Sequence, residues 1–180
     1  YIKQLTKESV NLHDRILTEQ VAENCSSLFE ITDAMLENRI INIQYQSFWK
    51  DSPSDVEVEP YALKHFKQRW YLLGRNIQKK AYRIYALDRI IQCKRSTESF
   101  ELPADFSADE YFEHNYGIIV NNDEYDIETF EIKAYGNQRN YLNSLPLHHT
   151  QEEIETNQEY AVFSYRLRPS YDFLQEILSN

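Results

Sequence analysis

The sequence predicts an α+β protein that is mainly β, with a small, strongly curved five-stranded barrel followed by a βαββα sandwich and preceded by an amphipathic helix. Three observations predict it. Short runs of alternating apolar and polar residues recur between residues 39 and 100 at strand spacing. Fourteen tyrosines and nine phenylalanines favour strands, while only three glycines and five prolines leave little room for low-complexity linkers. The composition then shifts after Phe100, where Glu101-Leu102-Pro103-Ala104-Asp105 reads as a linker into a helix-containing pattern. The expected organisation is residues 1–38 as linker or dimerisation helices, 39–100 as the barrel, 101–125 as a linker with a short helix, and 126–180 as the second domain.

From Thr6 to about Asn24, Val10, Leu17 and Val21 share one helical face, with Thr6 as N-cap. Thr32 or Asp33 caps a short helix through Glu37. The first strand is expected over Arg39 to Phe48, with Ile41, Ile43 and Tyr45 on one side, and Lys50 to Ser54 is a turn. Val56 and Val58 alternate in its partner until Pro60, which has no N–H for a ladder and so ends the pairing or marks an edge. Trp70 to Asn76 and Ala81 to Leu87 form a strand pair around the turn Ile77 to Lys80. A single helical turn at Leu87 to Ile90 leads into a last strand, Ile91 to Ser96. In the second domain, Ser107 and Glu110 make a capping box for a short helix, with Gly117 as its C-cap. Asp126 to Tyr135 is a strand with Phe130, Ile132 and Ala134 inward. Gly136 to Leu145 is a helix carrying Tyr141, Leu142 and Leu145 inward. Strands at Leu147 to Gln151 and Tyr160 to Arg166, and a helix from Pro169 or Ser170, complete the order.

Charge is distributed unevenly. The chain carries net charge -10, yet Pro60 to Arg95 holds ten bases against one acid, Asp88. That window is near +9, so the remaining residues sum to about -19. A cationic island in an acidic protein points to a surface that meets an anion. Guanidinium groups offer planar forks that fit phosphate oxygens, and Arg83 and Arg89 are the leading candidates. Arg83 lies in the strand paired with Trp70-Tyr71-Leu72, and Arg89 leaves the tight turn after it, so the two converge on one mouth of the barrel. Tyr71 points opposite to Trp70 and Leu72, and a tryptophan in a small barrel is more often core than ligand platform. Tyr45 and Ser47 share a face of the first strand, and Lys64 and His65 edge the same site. Stacking rings combined with cations suit single-stranded nucleic acid or a nucleotide.

The ordered set of Pro60, Trp70-Tyr71-Leu72, Gly74, Arg83 and Leu87-Asp88-Arg89-Ile90 resembles the WYL domain of bacterial transcriptional regulators, over roughly Arg39 to Glu98. The resemblance implies an Sm-like, SH3-type barrel that senses a ligand through the tripeptide strand and such arginines, behind a DNA-binding winged helix-turn-helix. No such head is evident in this chain, so promoter DNA would be met through a part outside it. Tyr1 in place of Met and a helical pattern stopping at Asn180 read as a fragment of a longer protein. Ala86 departs from the family by standing where many relatives carry another base. The N-terminal helix then reads as a linker or homodimer helix, or as packing on its own barrel, and residues 126–180 as the C-terminal extension of such proteins.

Other functions find little footing. No apolar run approaches the roughly 20 residues of a membrane helix and no signal-like leader is present, so a cytoplasmic protein is expected. Cys25 and Cys93 lack metal or disulfide spacing and read as reduced thiols. The five histidines are scattered, and His148 and His149 would point to opposite faces of a strand. With no phosphate loop, nucleophile elbow or zinc pattern, neither an enzyme nor a cofactor is expected. The alternative to a sensor is a structural dimerisation module in which the basic island pairs with the acidic remainder. Direct duplex binding ranks last, given net charge -10.

Overall fold

The computed structural model describes residues 27–120 and 125–179, which form two compact units divided between Ser99 and Phe100. The helix expected over Thr6 to Asn24 lies outside the described residues. Mixed α and β structure is observed in both units, with strands dominant in the first.

The first unit opens with α1 (Ser27–Leu36), which buries Ile31 and Ala34 completely and packs Leu28 and Met35 against the same core. It begins earlier than the expected cap at Thr32 or Asp33. The apolar face already starts at Leu28, and the Thr32 hydroxyl donates to the Phe29 carbonyl inside the helix at 2.9 Å. Asn38, at φ 50, then turns the chain into β1 (Arg39–Tyr45), which ends before the expected Phe48. Next come β2 (Ser54–Phe66), β3 (Arg69–Asn76), β4 (Ala81–Ala86), a 3-10 turn (Leu87–Arg89) and β5 (Ile90–Ser99). All neighbours are antiparallel, in the order β4-β3-β2-β1-β5.

Two expectations are corrected here. β2 does not stop at Pro60 but runs straight through it. Pro60 stands opposite Gly74, and the register slips between Pro60 and Ala62, so the proline occupies a bulge where its missing N–H costs no regular ladder bond. The slip also shifts the inward residues from Val56 and Val58 to Leu63, keeping both halves of the strand on one core. Gly74 is required by close approach, since a Cβ there would lie 2.4 Å from Val58 Cγ1 and 2.6 Å from the Glu59 carbonyl oxygen. Secondly, the sheet is not closed into a barrel. β4 and β5 are its two edges, joined in sequence by the 3-10 turn and by no ladder.

In the second unit α2 (Ala108–Phe112) is capped as expected, the Ser107 hydroxyl accepting from the Glu110 N–H at 3.3 Å. Gly117 is not its C-cap, because the helix ends at Phe112. At φ +79 the glycine instead begins a turn that aims the N–H groups of Ile118 and Ile119 at Asp172. β6 (Glu128–Tyr135), α3 (Gln138–Ser144), β7 (Glu152–Thr156), β8 (Tyr160–Leu167) and α4 (Tyr171–Ser179) follow, with the antiparallel sheet ordered β6-β8-β7. The strand expected at Leu147 to Gln151 is a turn. The Gln151 side chain donates to the Leu142 carbonyl at 2.7 Å and accepts from the Leu147 N–H at 3.1 Å, which holds the segment curled. On α3 only Leu142 packs on the core, while Tyr141 and Leu145 are 68% and 78% exposed. Phe130, Ile132 and Ala134 do face inward, against Phe163, Tyr165, Leu167 and Phe173. Among the described residues no helix is long and apolar enough to cross a membrane.

Candidate functional site

Arg89 is placed by the 3-10 turn, which points it back over the end of β1. Its guanidinium carbon lies 5.4 Å from the centroid of the Tyr45 ring and 4.4 Å from that of Phe48, both within cation–π range. The Nε is buried and has no hydrogen-bond partner. Tyr45 meets Tyr85 edge to face at 5.2 Å, and its hydroxyl accepts from the Ala86 N–H at 3.4 Å. Burial pushes the Tyr45 hydroxyl pKa up, opposed chiefly by the positive charge of Arg89. Burial likewise raises Tyr85, opposed by the hydrogen bond from Asn76 and then by the charge of Arg83. Arg89 therefore borders the Tyr45–Tyr85 pair. Arg83 is exposed on the edge strand β4, opposite Gly74, with Nη1 donating to the Tyr82 carbonyl at 3.4 Å.

The other predicted residues divide between this site and a neighbouring hairpin. Tyr71 is buried in β3, in register with Lys64 on one side and Ala86 on the other, and it is among the groups that act on Tyr45. Trp70 sits opposite His65, their rings 5.1 Å apart, and packs partly on the core beside the fully buried Leu72. Ser47 is not on β1. It lies in the following turn, where its hydroxyl accepts from the Trp49 N–H at 3.2 Å. The geometry thus sets Arg89 against Tyr45 and its partner ring Tyr85, and brings His65 and Trp70 together on the β2–β3 hairpin.

Several bases of the island already have acidic partners. Arg75 pairs with Glu59 at 3.1 Å, Arg95 with Glu37 at 2.8 Å, and Arg69 with Asp88 at 3.7 Å. Asp88, the neighbour of Arg89 in sequence, turns to Arg69 and keeps Oδ1 buried without a partner. Among the described residues neither Arg83 nor Arg89 stands in an ion pair. Sequence reasoning missed Phe48 and Trp49, which are 74% and 94% exposed at the turn after β1. Two large aromatics beside a polar turn were the available signal. His148 and His149 are also corrected: they lie in the turn before β7 with rings 4.2 Å apart, side by side rather than on opposite faces. No group of three His, Cys, Asp or Glu side chains among the described residues is arranged to hold a metal ion.

The first unit is thus an open-edged antiparallel sheet with an arginine against two aromatic rings at one corner. Residues 26–95 match the family model described as the WYL domain. Among solved structures the chain is similar to the proteasome accessory factor B/C (PafBC) of Arthrobacter aurescens, at 16% identity and a TM-score of 0.43, over 84% of this chain and 22% of that one. The chain therefore spans about a fifth of that protein's length. No curated protein matches the sequence.

Proposed function

We propose that this chain is the ligand-sensing and oligomerisation region of a cytoplasmic bacterial transcriptional regulator, and that its WYL domain binds a nucleotide or single-stranded nucleic acid to bias an attached DNA-binding domain. The observation that carries this reading is the Arg89 guanidinium held between Tyr45 and Phe48, outside any described ion pair and with an unsatisfied buried Nε. A stacked guanidinium is already ordered, so less freedom is lost when it meets a phosphate. Exposed Phe48 and Trp49 supply faces for bases, and Arg83 a second cation. The strand order, the bulged β2 and the 3-10 turn before β5 support an Sm-like, SH3-type strand arrangement for residues 39–100, left open between β4 and β5, with 126–180 as a C-terminal extension. Binding acts on the attached domain only if the ligand prefers one arrangement, and about 1.4 kcal/mol of preference gives a tenfold shift.

A second reading, a dimerisation module without a ligand, draws on the ion pairs of Arg69, Arg75 and Arg95, which show the island partly neutralised by the chain's own acids. Fluorescence-anisotropy titration with labelled single-stranded DNA, RNA and cyclic nucleotides, at low and physiological salt, separates the two. Saturable binding that weakens at least roughly tenfold in Arg89→Ala and again in Arg83→Ala/Arg89→Ala is expected, since each charged hydrogen-bonded contact contributes about 1.5–3 kcal/mol. Absence of binding at either salt, with a stable dimer in sedimentation, favours the module.

A further inference from the structure

β6 is an edge of the C-terminal sheet, paired with β8 and with no other strand among the described residues. An unpaired edge presents N–H and C=O groups that template another strand unless something blunts it. The two edges of this sheet differ. β7 is exposed along its length and carries Glu152, Glu153 and Glu155, so two copies laid together there oppose like charges. β6 instead alternates Phe130, Ile132 and Ala134, facing the core, with exposed Glu131 and Lys133, one charge of each sign. Against its apolar face lies a groove of about 610 Å³, lined by Ile132, Ala134, Leu142, Leu145, Leu147 and Ile177 among others.

We infer that β6 pairs antiparallel with β6 of a second copy about a twofold axis at Ile132, joining two three-stranded sheets into one. Register selects that centre. An antiparallel self-pairing that keeps both apolar faces on one side is centred on a residue, because a one-residue slip sends every side chain to the other face. Centring on Glu131 or Lys133 opposes a charge with itself. Centring on Phe130 or Ala134 leaves Glu131 and Lys133 without a partner of opposite sign. Centring on Ile132 sets Ile132 against its copy, Phe130 against Ala134, and Glu131 against Lys133 on both sides of the axis. Both grooves then lie on the same face of the joined sheet. Lys133 is already extended on the outer face, its Nζ 3.4 Å from the Tyr160 ring centroid.

This deepens only the oligomerising half of the proposed function. Sedimentation equilibrium of the whole chain, together with Glu131→Lys, Lys133→Glu and the double swap, tests it. The parent dimerises. Each single change places two like-charge pairs across the axis and weakens the dimer roughly tenfold or more, while the double swap returns to within about threefold of the parent. Amide exchange along β6 slows with rising protein concentration in the parent and the double swap alone. A monomeric parent, a dimer indifferent to the single changes, or a double swap weaker than either single overturns the pairing, as does concentration-independent exchange at the β6 amides that face away from β8. Ligand titration of the single variants keeps the two readings apart, since binding that survives in a monomer leaves the sensing reading standing when the interface fails.

Discussion

Cys93 lies on β5, half-buried against the first unit's core. Burial, and after it the carboxylate of Glu30, pushes its thiol from 9.0 up to about 11. The folded chain thus holds this proton more tightly than the unfolded chain. Between pH of about 9 and about 11 the unfolded state sheds it first, so the contribution to stability is whole below about 9 and disappears as pH rises through about 11. Urea midpoints measured from pH 8 upward are expected to fall across that window, and Cys93→Ala to flatten the decline between about 9 and 10, below the range where tyrosines enter. Parallel profiles for parent and variant would sink this account. Residue identity made the thiol visible in sequence, but its burial is a property of neighbours on α1 and β1. The same holds at the site: Arg89 is legible as a cation, whereas its seat between Tyr45 and Phe48 exists only once the turn after β1 folds over it.

Elements whose signal is local were legible. β1, β3, β4 and the turn at Leu87–Arg89 follow from period-two alternation and turn chemistry within a few residues. Elements decided by a distant partner were not. Pro60 looks like a stop until Gly74 stands opposite it to admit a bulge, and the turn before β7 exists because Gln151 reaches back to Leu142 and Leu147. The packing of α4 is of this second kind. Asp172, in its first turn, accepts from the N–H groups of Ile118 at 2.9 Å and Ile119 at 3.1 Å, and the Ser170 hydroxyl donates to the Tyr116 carbonyl at 3.2 Å. A carboxylate at a helix N-terminus also complements the dipole. Asp172→Ala strands two donors and is expected to cost about 1–3 kcal/mol. Amide exchange should accelerate first at Ile118 and Ile119. Unchanged exchange there, with a lowered midpoint, would assign the loss to the helix alone.

At the scale of the whole molecule, each unit has a core of its own. One is built from Ile31, Ile41, Ile43, Val58, Leu72 and Leu87, the other from Phe163, Tyr165, Leu167 and Phe173. Phe173 is the hub of the second: fully buried, it meets the rings of Tyr116, Phe130 and Tyr165 at 5.7–5.8 Å. Truncating it removes those contacts and leaves a cavity that the sheet cannot close, a loss of about 3–5 kcal/mol. A core that serves only its own unit passes none of that loss to the other. Phe173→Ala is therefore expected to move a melting transition reported by the second unit, while Trp70 fluorescence, partly packed on the first core, keeps its midpoint, and so does any ligand affinity carried by Arg89. Equal displacement of both transitions would mean that the two cores unfold as one cooperative body.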